Sequence, residues 1–216
     1  MLLSITALGA SAASLEDAAM QSDQIVDGQQ VSEYVNSWWQ WTYTMPPEIS
    51  PVRDYTGEHC HVGQKGEVWF LAGGYGSSTI NRICEVPAGK YLFFPIINMV
   101  YFPRYENSNY TCERAKASAA LNNDNLLDIY VELNGVQAWN PASTRMASNE
   151  CFDLLGKVPS EYNAPKIYPA ATDGYWLMLK PLSKGTHTLK FRAGYDRENG
   201  AFGRTAQDIE YEIIVR

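Results

Sequence analysis

The amino-acid sequence predicts a mainly β protein: an antiparallel β-sandwich or jelly roll with an N-terminal amphipathic helix and a short second helix. Three observations support this fold class. Three short apolar runs separated by turn residues fill the stretch 67–98, a hairpin pattern follows at 128–137, and alternating patterns end the chain. The length of 216 residues fits one domain, which we place at 24–216.

The three apolar runs form the centre of the predicted sandwich. The run 68–72 ends in a glycine-rich loop, and a second run follows at 80–86. The tetrad Val86-Pro87-Ala88-Gly89 is typical of a tight turn, because proline presets φ and glycine accepts positive φ. The run 91–97 is apolar on both faces, as in a strand covered on both sides. A buried helix there is disfavoured because Pro95 would break it.

The segment 28–45 has the periodicity of an amphipathic helix. Asp27, with Gln30 three residues later, resembles a capping box, and Pro46-Pro47 ends the helix. The apolar positions recur at spacings of three and four: Val31, Tyr34, Val35, Trp38 and Thr42 or Met45.

Three tryptophans of this helix, Trp38, Trp39 and Trp41, cannot all lie on one side of it. At least one ring must therefore pack away from the main face, against a loop or in a ligand groove. Core packing is the favoured role of these rings, and a ligand groove is the alternative.

The second half of the chain alternates long loops with regular elements. An aromatic and polar loop is predicted at 99–111, a short alanine-rich helix at 113–121, and an irregular loop with several prolines at 140–172. The hairpin at 128–137 turns at Asn134-Gly135, a pair that favours the type I′ turn.

Three further strands are predicted at 174–182, 186–193 and 208–216. His187 falls on the apolar face of its strand, where a core histidine bonded to the backbone is favoured over a catalytic one. The other inward-facing side chains of the last two strands are Leu189, Phe191, Ile209, Tyr211, Ile213 and Val215.

Charge and hydropathy exclude two classes of partner. The formal net charge is −7, and no cluster of lysine and arginine occurs, so nucleic acid is not an expected partner. After the N-terminus no apolar run approaches the roughly 20 residues that cross a bilayer, so no transmembrane segment is expected.

Residues 1–14 resemble the remnant of a signal peptide, since they are apolar and then small and include Ala10-Ser11-Ala12. An ordinary disordered or helical N-terminus is the alternative. The four cysteines support export, because their spacing matches no zinc site and therefore favours disulfides. The predicted location is secreted, periplasmic or at the cell surface. Of the three ways to pair the cysteines, neighbour pairing joins Cys60 to Cys84 and Cys112 to Cys151.

Motifs throughout the mature chain resemble a family of secreted bacterial proteins known only as hypothetical or signal-peptide proteins. The resemblance implies secretion and a shared fold, and it carries over no catalytic residue. His59 and His61 lie outside the shared pattern. The matching elements are Trp38-Trp39-Gln40-Trp41, Asp54, Thr56-Gly57, Cys60, Gly63-Gln64, Val68-Trp69-Phe70-Leu71-Ala72-Gly73, Arg82, Cys84, Val86-Pro87-Ala88-Gly89-Lys90, Phe93-Phe94-Pro95, Asn98, Asp173-Gly174-Tyr175 and Gly185-Thr186-His187-Thr188.

The sharpest local signal for a metal is the pair His59 and His61. On an extended backbone both imidazoles would point the same way, and Glu58, Asp54 or the distant His187 could complete a zinc or copper site. Two solvated histidines beside a disulfide are the favoured alternative. The oxygen-rich segment 122–125 could supply calcium ligands, but a turn is favoured there. No other cofactor is expected.

Carboxylates offer a catalytic alternative. Glycoside hydrolysis needs two carboxylates about 5–10 Å apart. The candidates are Asp54, Glu58, Glu67, Glu85 and Asp173, all near predicted strand ends or loops. Solvated loop acids are the favoured interpretation, and Asp173 before Gly174 is interpreted as a turn residue.

Five tyrosines of the two long loops could form an aromatic platform for an extracellular polysaccharide or another surface polymer. Packing of the loops onto the sheets is the alternative. The favoured function is binding of a glycan or other polymer, or a surface role; the alternatives are a polysaccharide-active hydrolase or lyase and a metal-binding protein. The tyrosines are Tyr101, Tyr105, Tyr110, Tyr162 and Tyr168.

Overall fold

A computed structural model of the chain describes residues 15–75, 79–103, 109–137, 141–195 and 205–216. The predicted fold class is confirmed, because two β-sheets enclose a shared apolar core and helices are few. The strands in this part of the chain are β1 (Ile25–Val26), β2 (Gln29–Gln30), β3 (Val68–Phe70), β4 (Thr79–Val86), β5 (Tyr91–Tyr101), β6 (Leu126–Leu133), β7 (Val136–Gln137), β8 (Arg145–Ala147), β9 (Ala171–Leu179), β10 (Gly185–Tyr195) and β11 (Thr205–Val215). The α-helices described are α1 (Leu15–Ala18), α2 (Tyr34–Thr44) and α3 (Cys112–Asn123).

Both large sheets are mixed. The five-stranded sheet has the order β4-β11-β10-β6-β7, and the four-stranded sheet has the order β3-β5-β9-β8. Most neighbours are antiparallel, as predicted, but β4 pairs with β11 in parallel and β3 pairs with β5 in parallel. The parallel pair β3 and β5 arises because the chain visits the opposite sheet, in β4, between these two strands.

Strand β5 is the central element of the fold, as the apolar run on both faces predicted. Residues 92–99 are all buried. One face of β5 contributes to the core between the two sheets, and the other face packs against α2. Pro95 lacks a backbone N–H, and the register with β9 shifts between Pro95 and Ile97, which lets an inner strand contain proline.

The N-terminal helix begins later than predicted. The predicted helix 28–45 contains the hairpin strand β2 and a 3₁₀ turn, Val31–Glu33, before α2 begins at Tyr34. Asp27 does not cap a helix, because it adopts a positive φ of 47° in the β1–β2 turn. The capping box is formed instead by Gln30 and Glu33.

The two long loops are shorter than predicted. Strand β5 runs to Tyr101, so it takes the first residues of the predicted loop 99–111. The predicted loop 140–172 includes the edge strand β8, and β9 already begins at Ala171. The apolar core also extends N-terminal to residue 24, since Leu15 is buried between the sheets.

Other local predictions are confirmed. Helix α3 covers the predicted segment 113–121. Asn134 and Gly135 have φ values of 52° and 81°, as a type I′ turn requires. The four inward-facing side chains predicted for the last strand are buried. Both disulfides follow the neighbour pairing: Cys60 with Cys84 and Cys112 with Cys151.

A buried arginine holds two loops on the five-stranded sheet. Arg82, on β4, is 2% exposed. Its Nε donates to Asp54 O at 2.7 Å, and its terminal nitrogens donate to the carbonyls of Ala72 and Gly73, each at 2.9 Å. The remaining acceptors are Val52 O at 3.5 Å and the Tyr211 hydroxyl at 3.0 Å. The planar guanidinium therefore fastens two loops to the five-stranded sheet.

Replacing Arg82 should destabilise the fold strongly. Arg82→Met leaves several buried carbonyls without donors, and a hydrogen bond to a charged group contributes roughly 1.5–3 kcal/mol. We expect a loss of about 3 kcal/mol, which lowers Tm by roughly 10 °C in a chain of this size. Arg82→Lys should recover less than half of this loss, because an ammonium lacks the planar fork. Thermal unfolding followed by circular dichroism measures the effect.

The matched control is Arg192→Lys, at an arginine whose side chain is 57% exposed. It should leave Tm within about 2 °C, as is usual for surface changes. An equal loss of Tm in Arg82→Lys and Arg192→Lys would show that the planar guanidinium of Arg82 does not stabilise the fold more than an exposed one does.

Candidate functional site

A cavity of about 410 Å³ lies between α2 and the end of β5. Its volume falls within the range of small-molecule sites, roughly 300–1,000 Å³. Helix α2, the loop after β3, the end of β5 and the start of β11 all contribute to its wall. The lining residues are Trp38, Trp39, Tyr43, Val52, Gly73, Gly74, Tyr75, Ile97, Asn98, Met99, Val100, Tyr101, Phe102, Thr205 and Gln207.

Helix α2 supplies the aromatic wall. The Trp38 indole donates to Leu71 O at 2.9 Å, and the Trp39 indole donates to Thr172 Oγ1 at 2.8 Å. The two rings meet edge to face with centroids 5.0 Å apart. Because both N–H groups are already bonded within the fold, these rings present only apolar surface to the cavity.

The loop after β3 forms a second wall through its backbone. A Cβ at Gly73 would lie 2.5 Å from Gln207 Oε1, so a larger residue there would displace the end of the Gln207 side chain. Gln207 Oε1 accepts a hydrogen bond from the Gly74 N–H at 3.1 Å. This contact fixes the Gln207 side chain beside the cavity.

Asn98 supplies a polar group inside the apolar wall. The residue is 8% exposed, and its Nδ2 has no hydrogen-bond partner among the described residues. Gly174 lies opposite on β9, where a Cβ would approach Asn98 Cβ to 2.6 Å. An unpaired buried amide costs roughly 1–3 kcal/mol, so a ligand that accepts from Nδ2 would recover that free energy.

The mouth of the cavity is aromatic and uncharged. The Tyr43 and Phe102 rings contact edge to face at 5.8 Å, and Tyr75 is 49% exposed. Burial, together with the nearby Tyr75, raises the pKa of Tyr43 to about 12. Burial also raises the pKa of Tyr75, against a lowering effect of Arg53. Both phenols are therefore neutral at physiological pH.

No charged side chain occurs among the described residues that line this cavity. A charged ligand would lose its hydration on entering the cavity and would find no opposite charge there. Its burial would therefore cost free energy. The cavity therefore suits a neutral ligand with an apolar face and a few hydrogen-bonding groups.

The predicted tyrosine platform does not form a single surface in the described residues. Tyr101 lines the cavity, whereas Tyr110 packs against Arg114 beside α3. Tyr162 and Tyr168 are 73% and 50% exposed on the loop before β9. Tyr105 lies outside the described residues.

Asp173 is part of an ion pair. The interpretation of this residue as a turn former is wrong, because it lies within β9 and is 5% exposed. Its two carboxylate oxygens accept from Arg145 Nε at 3.0 Å and from Arg145 Nη2 at 2.9 Å. Asp124 shares the same guanidinium at 2.8 Å. The carboxylate of Asp173 thus joins β9 to the edge strand β8.

Asp54 organises its own loop. Its Oδ1 accepts from the Thr56 N–H and hydroxyl, each at 2.7 Å, and its Oδ2 accepts from the His59 N–H at 2.8 Å. Burial alone would raise the pKa of Asp54, but these hydrogen bonds outweigh burial and hold its pKa below the usual range. Glu58, in the same loop, is exposed, and neither carboxylate lines the cavity.

The remaining acids are also remote from the cavity wall. Glu67 and Glu85 are exposed, and Glu85 pairs with Arg216 at 2.7 Å. The structure therefore does not bring any two of the five candidate carboxylates together at the cavity.

The histidine pair is not arranged as predicted. The prediction of an extended backbone at His59 and His61 is wrong, because residues 58–63 form turns. Within the described ranges, no group of three or more His, Cys, Asp or Glu side chains is placed to hold a metal ion. His187 is half-buried at the start of β10, where its ring nitrogens meet Ser183 O and the Asn134 amide.

The oxygen-rich segment 122–125 ends α3 and continues into a turn. Asn123 is buried and donates to Ala119 O and Asp173 O, each at 3.0 Å. Its Oδ1 accepts from the Tyr195 hydroxyl. These contacts tie α3 to β9 and β10, so Asn123 has a packing role.

Comparison with protein-family models, with curated proteins and with solved structures found no match to this chain. In the described ranges, no helix has the length and apolar character needed to cross a membrane. Sequence reasoning identified the tryptophans of α2 but assigned no site role to Asn98 or Gln207. The signal that could have identified Asn98 is its position, since it is an amide side chain within an apolar strand.

Asp54→Asn should remove a pH-dependent part of the stability. The pKa of Asp54 is depressed in the folded state. Its contribution to stability is therefore complete above the pKa of the carboxyl in the unfolded chain, which is about 4. That contribution is lost as the pH falls through the folded pKa. We expect the free energy of unfolding of Asp54→Asn at pH 7 to be about 1 kcal/mol lower than that of the unsubstituted protein, allowing for solvent screening. This difference should shrink at pH 3. Urea unfolding at both pH values measures it.

Glu58→Gln, at the exposed acid of the same loop, is the control and should match the unsubstituted protein at both pH values. A deficit of Asp54→Asn that is equally large at pH 3 would contradict the linkage.

Proposed function

We propose that the protein is an exported binding protein that holds a neutral sugar unit of an extracellular polymer in the cavity beside α2. The observation that carries the proposal is the unpaired Asn98 amide within an uncharged, aromatic-walled cavity. A sugar ring has an apolar C–H face that packs on aromatic rings, and its hydroxyl oxygens accept hydrogen bonds.

The polar groups of the cavity support a sugar over a purely apolar ligand. The lining includes the side chains of Asn98, Thr205 and Gln207 and the phenols of Tyr43, Tyr75 and Tyr101. These groups combine donors and acceptors without formal charge. A hydrocarbon would leave the buried Asn98 donor unpaired, whereas a sugar hydroxyl would satisfy it.

Binding is better supported than hydrolysis. A glycosidase places two carboxylates on either side of the scissile bond. The cavity wall, as far as the structure describes it, contains no Asp or Glu. Asp173 is held in its ion pair, and Asp54 is saturated by hydrogen bonds from its own loop.

Export is part of the proposal and rests on three observations. Both disulfides favour an oxidising compartment. The first 14 residues have the pattern of a signal-peptide remnant, and the motifs of the chain resemble a family of secreted bacterial proteins. A secreted or periplasmic location would place the cavity in contact with extracellular polymers.

Tyr75→Ala should weaken binding of a neutral glycan about tenfold, since one aromatic contact contributes roughly 0.5–1.5 kcal/mol beyond area burial. A panel of neutral glycans followed by calorimetry identifies and measures the ligand. Affinity should not change between 0.05 and about 0.5 M NaCl, because no charge is involved.

Tyr162→Ala is the matched control, since Tyr162 is also exposed but lies on the loop before β9. Its affinity should equal that of the unsubstituted protein. Loss of binding in Tyr162→Ala alone would favour the loop platform and contradict the cavity. Release of reducing ends from the bound glycan would favour the hydrolase.

Asn98→Leu separates binding from stability. Leucine has nearly the shape of asparagine but no donor, so removing an unpaired buried amide should leave Tm unchanged or raise it. The same change should weaken glycan binding about tenfold if Nδ2 donates to the ligand. Unchanged affinity in a folded Asn98→Leu variant would contradict the role assigned to Asn98.

A further inference from the structure

A second concavity, of about 320 Å³, lies along a different face of α2. We call it the lysine groove. It is formed between α2, the hairpin β1–β2, strand β3 and the loop that contains Lys157. Its lining residues are Asp27, Gln29, Tyr34, Ser37, Trp41, Thr44, Met45, Gly63, Lys65, Val68, Phe70, Lys157 and Pro159.

Two ammonium groups face this groove. Lys157 Nζ donates to Ser37 Oγ at 2.9 Å. Neither Lys65 nor Lys157 forms an ion pair with a residue in the described ranges. Burial lowers the pKa of Lys157, and repulsion from Lys65 lowers it further. Both lysines line the same groove, and neither is neutralised by an ion pair with a described residue.

The floor of the groove is aromatic. The Trp41 and Phe70 rings have centroids 5.5 Å apart, and Tyr34 contacts Phe70 edge to face. The Trp41 indole donates to Val62 O at 3.0 Å, and the Tyr34 hydroxyl donates to Val26 O at 2.7 Å. Their polar atoms are therefore engaged within the fold, and their rings offer apolar surface.

One acid also lines the groove. Asp27 Oδ2 accepts from the Glu67 N–H at 3.3 Å. Two lysines and one aspartate leave an excess of one positive charge among the lining side chains. A ligand with a single negative charge suits the two lysines, whereas a multiply charged phosphate would meet repulsion from Asp27, Glu33 and Glu67. The same three carboxylates act on Tyr34, which lines the groove.

We propose that the lysine groove binds a carboxylate carried on a ring. The carboxylate lies between Lys65 and Lys157, and the ring packs on Trp41 and Phe70. A sugar acid and an aromatic acid share this chemistry, so the experiment must distinguish them. The site is independent of the neutral-sugar cavity, since the two share no lining residue.

The probes are glucuronate, benzoate, acetate and glucose, titrated into the full chain and followed by the tryptophan indole signals in NMR spectra. Glucuronate or benzoate should shift the Trp41 indole signal and bind at least tenfold more tightly than acetate or glucose. The tighter of the two identifies the ring as sugar or aromatic. Equal affinity for acetate would overturn the ring contact, and equal affinity for glucose would overturn the role of charge.

Lys157→Met and Lys65→Met should each weaken binding of the preferred acid about tenfold, and raising the salt concentration should weaken it in the unsubstituted protein. Lys184→Met, at an exposed lysine in the turn before β10, is the matched control and should bind normally. Retained affinity in both groove variants, or equal loss in the control, would overturn the proposal. Tyr75→Ala should also bind the acid normally, so failure here is distinguishable from failure of the glycan cavity.

A ligand-free measurement tests the coupling of the two lysines. In Lys65→Met the NMR titration of the Lys157 Nζ group should move to higher pH, because the repulsion is removed. An unchanged titration would show that the two ammonium groups do not share a site, and it would overturn the proposal.

Discussion

The buried guanidinium of Arg82 is the contact that holds two irregular loops on the five-stranded sheet. The guanidinium is a buried positive charge, and its hydrogen-bond acceptors among the described residues are all neutral: four backbone carbonyls and one phenol. Because the carbonyls of Ala72 and Gly73 are among them, the arginine also fixes the loop that forms one wall of the cavity. The disulfide from Cys84 to Cys60 holds the same region from the neighbouring position on β4. A covalent bond and a charged hydrogen-bond network thus act together to hold loops that have little regular structure.

Helix α2 separates two chemically different surfaces. Its tryptophans point in different directions, so Trp38 and Trp39 reach the cavity while Trp41 reaches the lysine groove. Each indole N–H donates a hydrogen bond within the protein. The acceptors for Trp38, Trp39 and Trp41 are Leu71 O, Thr172 Oγ1 and Val62 O, respectively. The helix therefore uses its aromatic residues for core packing and for lining concave surfaces at once, so the two roles weighed for these residues are compatible.

Much of the fold could be predicted from periodicity because the long strands β4, β5, β9, β10 and β11 each have at least one buried face. The alternation in β11 and the apolar run of β5 directly reflect burial on one face and on both faces. Parallel pairing of β3 with β5 could not be predicted, since the pattern of a strand shows which face is buried but not which strand lies beside it. Asp173 was misjudged because Asp-Gly is a common turn pair, and its burial depends on Arg145, a distant residue in the sequence.

The candidate site was less predictable than the fold for a similar reason. The structure places His59 and His61 in turns and pairs Glu85 and Asp173 with arginines. The cavity combines residues from five separated segments, and Asn98, whose Nδ2 has no partner among the described residues, is an ordinary amide when seen in isolation. Trp69 Nε1, Trp176 Nε1 and the Asn122 amide are also buried without a partner among the described residues, but of these residues and Asn98 it is Asn98 that lines the cavity. A ligand that accepts from Nδ2 would remove the cost of burying this amide unpaired, and for that reason the proposed binding role rests on this cavity rather than on the candidate acids.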